Sequence, residues 1–192
     1  MENSTRTAGM SEKTFRLVIS AVMVALATVL SLVKLFELPL GGSVTLCSML
    51  PVMLIGYRYG PRWGLLTGFV YAAVQLLLDL GKALGWGLSP TALAVSFIFD
   101  YLIAFSVLGL AGVYGRGFAR YILGMVTAVV LRFVSHVVAG GTAYASWLPK
   151  SWRGHVWLYS LAYNGSFLLP DFAICLIVAV LIYKPLKRYL EA

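Results

Sequence analysis

Leu17-Val-Ile-Ser-Ala-Val-Met-Val-Ala-Leu-Ala-Thr-Val-Leu-Ser-Leu-Val33 runs without a charge between Arg16 and Lys34. A stretch of this length and apolarity approaches the ~20 residues an α-helix needs to cross about 30 Å of hydrocarbon, so it reads as a first membrane helix. A cleaved signal peptide is the competing reading. The run is long for the apolar part of a signal, and Lys34, Glu37 and Pro39 lead into more apolar sequence rather than into a polar mature chain.

Outward from this stretch the pattern repeats. Of the 192 residues, 60% are hydrophobic and 11% are charged, against ~25% charged in an ordinary soluble domain. With a mean hydropathy of +0.88, disordered, collagenous and coiled-coil readings fall away as well. After a polar start that includes Glu2, Arg6, Glu12, Lys13 and Arg16, charges and Gly/Pro clusters divide the chain into six apolar segments, roughly 15–36, 44–58, 63–82, 91–114, 118–140 and 157–184. The fold expected is an all-α integral membrane protein of six transmembrane helices in a single membrane domain, 1–192. The second segment, Val44 to Tyr57, is short for a span, which points to tilting, burial in the bundle or a re-entrant approach. Before it, Pro39-Leu40-Gly41-Gly42-Ser43 has the residues of a shaped turn, and non-helical backbone at membrane depth is tolerated where it lines a cavity.

The net charge of +8 would suggest nucleic acid in a soluble protein, but the basic residues here sit in short loops, where they set orientation. With six spans and the N-terminus inside, the inner segments hold ten: Arg6, Lys13, Arg16, Arg58, Arg62, Arg116, Arg120, Lys184, Lys187 and Arg188. Outer loops hold four, Lys34, Lys82, Lys150 and Arg153. This bias places both termini in the cytoplasm. Cys47 and Cys175 each lie in an apolar run with no metal or disulfide spacing, so they read as packing residues, and neither a metal nor a cofactor is expected.

Ionisable groups within the apolar segments are costly and therefore informative. Four qualify: Asp100, Arg132, His136 and Asp171. Arg132, His136 and Gly140 fall at i, i+4 and i+8, one stripe of the fifth helix, and Asp100 enters on the fourth at a comparable depth. Two readings stay open: an Asp100–Arg132 ion pair that only fixes packing, and a ligand site. Residues 144–164 favour the second, bringing Tyr144, Trp147, Trp152, Trp157, Tyr159, Tyr163 and Asn164 to the same level. Some of these belong to an interfacial belt. As a group, a carboxylate within aromatics and amides suits a flat, cationic heteroaromatic ligand held by cation–π and stacking contacts.

The motifs Gly-Gly-Ser-Val-Thr-Leu (41–46), Met-Leu-Pro (49–51), Tyr-Gly-Pro-Arg-Trp-Gly (59–64), Arg-Phe-Val-Ser-His-Val-Val-Ala-Gly (132–140) and Tyr-Ser-Leu-Ala-Tyr-Asn-Gly (159–165) resemble those of the thiamine-specific S components of energy-coupling factor (ECF) transporters, over essentially all six helices. The resemblance implies a high-affinity thiamine-binding subunit of the bacterial cell membrane, which joins a transmembrane coupling subunit and two ATPases. It places the binding residues at Asp100, Tyr101, Arg132, His136, Gly140, Tyr144, Tyr159 and Asn164. The chain departs from the family pattern in having Asp100 for Glu, Arg132 for Lys and Tyr144 for Trp, and the first-loop Trp has no counterpart in Gly41-Gly42-Ser43. Trp147 is the expected substitute for the indole lost at Tyr144. In the first helix, Ala21-x-x-x-Ala25 offers the close approach that membrane helix pairs use, either within the bundle or with another chain. The resemblance makes Ala21 and Ala25 the docking surface for the coupling subunit.

The chain has no phosphate-binding G-x-x-x-x-G-K-[ST] loop, H-E-x-x-H helix or G-x-S-x-G elbow, so neither ATP hydrolysis nor a membrane enzyme is expected. The alternatives that remain are an S component for a related vitamin or thiamine precursor, and a self-sufficient ion-coupled carrier. In the carrier, Asp100 and Asp171 would be coupling sites and the sixth helix would break at Pro170.

Overall fold

The computed structural model describes residues 11–191; Glu2 and Arg6 of the charge count lie outside them. Among the described residues there are six helices of ten residues or more, α1 (Glu12–Leu32), α2 (Leu50–Tyr59), α3 (Pro61–Gly85), α4 (Pro90–Gly112), α5 (Phe118–Thr142) and α6 (Val156–Leu190). All but α2 are long and apolar enough to cross a membrane. Their outer faces carry leucine, valine and phenylalanine in the open, such as Leu77 at 70% exposure and Leu181 at 69%. Apolar surface on this scale marks contact with lipid.

Local signals set the helix starts. Ser11 caps α1 by accepting from the Thr14 N–H at 3.2 Å, and Ser89 caps α4 in the same way, with Pro90 in the first turn where its missing N–H costs nothing. Helix α2 differs from the expected segment at 44–58. At ten residues it rises only about 15 Å, half the hydrocarbon depth. Leu50 to Tyr57 are all buried, so α2 is a short central strut.

The chain between α1 and α2 is not helical. Lys34–Glu37 (β1) pairs antiparallel with Ser43–Thr45 (β2), so the expected helix to residue 36 stops at Leu32 and Val44 and Thr45 lie on a strand. Gly41 at φ +96° makes the turn that reverses the chain, and this conformation favours glycine. Gly42 allows a close approach, since a side chain there would fall 2.7 Å from the Phe167 ring. The sixth helix is also longer than its apolar run, extending through Pro185 to Leu190.

In α4 an α-helical start (Pro90–Ser96) gives way to a π-helical stretch, Phe97–Ile103, and ends in a 3₁₀ stretch, Val107–Gly112. The 3₁₀ end lies backbone to backbone on its neighbours. A Cβ on Gly109 would stand 2.0 Å from the Gly64 carbonyl carbon, so bare backbones let α3 and α4 touch, as in membrane helix pairs generally. Arg16 lies over Tyr59 and Tyr57 bonds Glu191, so both ends of the described chain meet at one end of the bundle. A cavity occupies the other.

Candidate functional site

The cavity, of about 250 Å³, is lined by α3 to α6 and the end of α1 and roofed by the β-hairpin. Its acid comes from the π-helical stretch. π-turns are rare and concentrate at functional sites, and this one presents Asp100 to the cavity while Tyr101 turns towards α3. Asp100 Oδ1 accepts from His136 Nδ1 at 2.9 Å, and Oδ2 accepts from Ser96 Oγ at 3.2 Å. The carboxylate side chain keeps 17% of its surface open.

Arg132 does not pair with Asp100 as the packing reading expects. Its Nε donates to His136 Nε2 at 3.2 Å, so His136 stands between the two charges. Because a guanidinium only donates, Nε2 must accept, and the ring proton sits on Nδ1 and points at Asp100. Four residues apart on α5, Arg132 and His136 form this chain as helix neighbours. The guanidinium lies 4.1 Å over the Phe105 ring, and its buried Nη1 has no hydrogen-bond partner among the described residues. Arg132, which lines the cavity, thus keeps a buried donor unused among the described residues.

All nine residues singled out by sequence, Asp100, Tyr101, Arg132, His136, Gly140, Tyr144, Trp147, Tyr159 and Asn164, line this cavity. The Tyr101 hydroxyl donates to Asp79 at 3.4 Å, and the Tyr144 hydroxyl shares a 2.8 Å hydrogen bond with Ser96. Asn164 spends its amide nitrogen on the Ser160 and His136 carbonyls, leaving its oxygen as an acceptor. Gly140 does structural service too, because a Cβ there would stand 2.2 Å from Ser160 Oγ and hold α6 off α5. Tyr159 and Tyr163 stack with centroids 6.1 Å apart, while Trp147 is 47% exposed at the rim. Trp152 and Trp157, part of the same aromatic run, do not line the cavity, and Trp157 packs outside against Gly141.

Several lining residues escaped the sequence reading. Trp86, just past the end of α3, meets Tyr144 edge-on at 5.7 Å and lies against Gly41, supplying an indole that neither the first loop nor Tyr144 provides. Asp79 and Gln75 on α3 also line the cavity; Gln75 donates to Ser31 at 2.8 Å. Asp79 lies within the segment assigned as the third span, so the signal that could have found it was the one that marked Asp100 and Asp171, an acid inside an apolar run. The Tyr163 hydroxyl bonds the Pro39 carbonyl and accepts from the Gly42 N–H at 3.2 Å, which ties the hairpin tip to α6.

Asp171 is 3% exposed and its Oδ1 accepts from both the Thr45 N–H (2.8 Å) and Thr45 Oγ1 (2.9 Å), fastening β2 to α6. Helix α6 runs unbroken through Pro170. The discontinuous-helix ion site of the carrier reading is therefore not formed, because Pro170 costs one backbone donor without ending the helix. Cys47 and Cys175 are free and buried, as expected of packing residues.

Residues 17–191 match the thiamine transporter protein family (Thia_YuaJ). The chain is 32% identical to thiamine transporter ThiT of Bacillus subtilis over 197 aligned residues, covering 95% of this chain and 97% of the relative. It is 26% identical to thiamine transporter ThiT of Lacticaseibacillus paracasei over 145 residues, 68% of each. The fold is similar to a structure of ThiT from Listeria monocytogenes (TM-score 0.71, 22% identity, covering 94% of this chain and 99% of that one). It also resembles the S component of a bacterial ECF transporter (TM-score 0.58, 18% identity, covering 94% and 100%). This multi-pass membrane protein, a transporter subunit in kind and not an enzyme, belongs to the thiamine transporter protein family.

Proposed function

We propose that the chain is the thiamine-binding S component of an ECF-type importer, and that thiamine occupies the cavity between α3 and α6. The observation that carries this reading is Asp100, a partly open carboxylate backed by His136 and Arg132 inside a wall of Trp86, Tyr144, Tyr159 and Tyr163. A thiazolium ring carries a fixed positive charge. Asp100 neutralises it, aromatic faces contribute about 0.5–2 kcal/mol each by cation–π contact when water is excluded, and the Asn164 oxygen accepts from the aminopyrimidine. The Arg132 Nη1 donor meets a ring nitrogen or the hydroxyethyl oxygen.

In this reading the cavity end faces outward and the basic end faces the cytoplasm, as the Lys/Arg bias requires. Ala21 and Ala25 are exposed while Ser20, Val24 and Ala27 turn into the bundle, which leaves the alanine stripe free for the coupling subunit, itself driven by two ATPases.

A vitamin panel read by tryptophan fluorescence on the purified protein tests the ligand, since Trp86 and Trp147 line the cavity. Thiamine is expected to quench; a panel in which another vitamin binds and thiamine does not overturns the assignment. Replacing Ala21 or Ala25 by Trp tests the assembly. Binding should survive while uptake with the coupling module is abolished, and equal loss of both would make the alanines packing residues. Substantial gradient-driven uptake by proteoliposomes holding this chain alone would overturn the S-component assignment.

A further inference from the structure

At the end of the bundle opposite the cavity, the start of α1, the end of α2 and the loop after α4 enclose a second pocket of about 530 Å³. Three arginines line it, Arg16, Arg58 and Arg116, against one carboxylate, Glu12. None of the three forms an ion pair among the described residues. Arg116 is committed to the fold, since it donates to the Tyr57 carbonyl, to the Leu190 carbonyl at 3.0 Å and to the Arg58 carbonyl at 2.6 Å.

Arg16 and Arg58 make no such side-chain hydrogen bonds among the described residues. Their guanidinium carbons lie 5.0 and 5.1 Å from the Tyr59 ring centre, and the Trp63 ring holds Arg16 from another side at 5.3 Å. This stacking fixes the planes without using their N–H groups. Arg16 Nε, Arg58 Nη1 and the Tyr59 hydroxyl are each buried with no hydrogen-bond partner among the described residues. Three uncompensated polar atoms in one pocket, two of them on cations, are costly unless a ligand with several acceptor oxygens meets them.

We propose that this pocket binds a phosphate group, held by Arg16, Arg58 and Tyr59. The donors come from two helices, so they suit a tetrahedral group whose oxygens diverge better than a flat carboxylate. Around Arg16, Phe15, Leu17 and Val18 are 45–57% exposed apolar residues, which puts the pocket beside the lipid-facing surface. The phosphate can therefore belong to an anionic phospholipid headgroup or to a small phosphate ester in solution.

The test uses the full chain and the variants Arg16→Gln, Arg58→Gln and their double. Native mass spectrometry reads retention of phosphatidylglycerol from detergent, and thermal melts are compared in phosphatidylcholine nanodiscs with and without phosphatidylglycerol. A parallel titration of the detergent-solubilised protein uses glycerol phosphate. Phosphatidylglycerol retained by the unmodified chain and weakened at least about tenfold in the double variant identifies a headgroup. A glycerol phosphate shift lost in the double variant identifies a soluble ester. Unchanged near-ultraviolet circular dichroism shows that the variants are folded; where it changes, the comparison between lipids on the unmodified chain decides. If the unmodified chain responds to neither probe, or folded variants respond equally, the pocket is merely solvated and the proposal is wrong.

Discussion

On the α4 wall of the cavity, Asp100 gives one oxygen to His136 and one to Ser96 and still faces the open volume. On the α6 wall, Asp171 spends Oδ1 on both donors of Thr45 and is closed off from solvent. Sequence treats the two alike, as lone acids in apolar helices. Their neighbours separate them: one meets a histidine of α5 and a serine of its own helix, which leave room for a cation, the other meets a strand whose backbone needs an acceptor. Both acids line the cavity, and what separates them there is exposure: the Asp100 side chain keeps 17% of its surface open, whereas Asp171, at 3%, is closed in by the strand it fastens.

The sharpest way to break this contrast is Asp100→Asn, which keeps size and removes charge. Losing one member of a desolvated charged pair costs about 2–5 kcal/mol, so thiamine affinity should fall roughly 30- to several-thousand-fold while the melting temperature of the empty protein moves little. A large drop in melting temperature with affinity kept would make Asp100 the His136 counterpart of Asp171. For Asp171→Ala the expectation is reversed. Two Thr45 donors lose their acceptor, costing ~1–3 kcal/mol, or roughly 3–10 °C in a thermal melt, with affinity changing only as far as the hairpin roof loosens.

Trp86→Ala sharpens the comparison from the roof side. If Trp86 supplies the missing indole, binding should weaken by about 0.5–2 kcal/mol, roughly two- to thirtyfold, and most of the fluorescence response should vanish. The smallest effect concerns Glu37 on β1. Hydrogen bonds from Lys82 at 2.5 Å and Lys34 at 2.9 Å hold its carboxyl below the usual glutamate range. Stability from this contact is present above the unfolded value and is lost as pH falls through the lower folded one. The melting difference between the unmodified chain and Glu37→Gln, small because the side chains are exposed, should therefore begin to shrink as pH falls below the ordinary glutamate value of about 4.3 and vanish only once pH is below the lowered folded one.

Apolar length was enough to read the five long helices, because Arg16 and Lys34 bracket a charge-free run, and the runs from Arg120 to Lys150 and from Arg153 to Lys184 each hold a single formal charge, Arg132 and Asp171. It failed between residues 33 and 49. Lys34–Glu37 is too short for strand alternation to register, and the pairing that makes it a strand depends on Thr45 meeting Asp171 on a distant helix. Helical spacing grouped Arg132, His136 and Gly140 correctly. It could not reveal Asp79 or Trp86, whose place in the cavity depends on how α3 ends against the hairpin tip. Nor does Phe-Ile-Phe-Asp-Tyr-Leu-Ile (97–103) carry any mark of π-winding, since those residues suit an ordinary helix equally well.

That winding makes the reading frame of α4 part of the site. A π-turn holds one residue more than an α-turn, so the wall containing Asp100 has the geometry a single-residue insertion would leave in a regular helix. Deleting one residue between Phe97 and Asp100 would let the coil relax to α-winding, and everything on its N-terminal side would turn about 100°. Ser96, now hydrogen-bonded to both Asp100 and Tyr144, would swing away from them, while the glycine-lined 3₁₀ end stayed locked between α2, α3 and α5. Helix length is thus a coordinate along which such a pocket can be retuned: a change of one codon, with no side chain replaced, exchanges the residues that face the ligand.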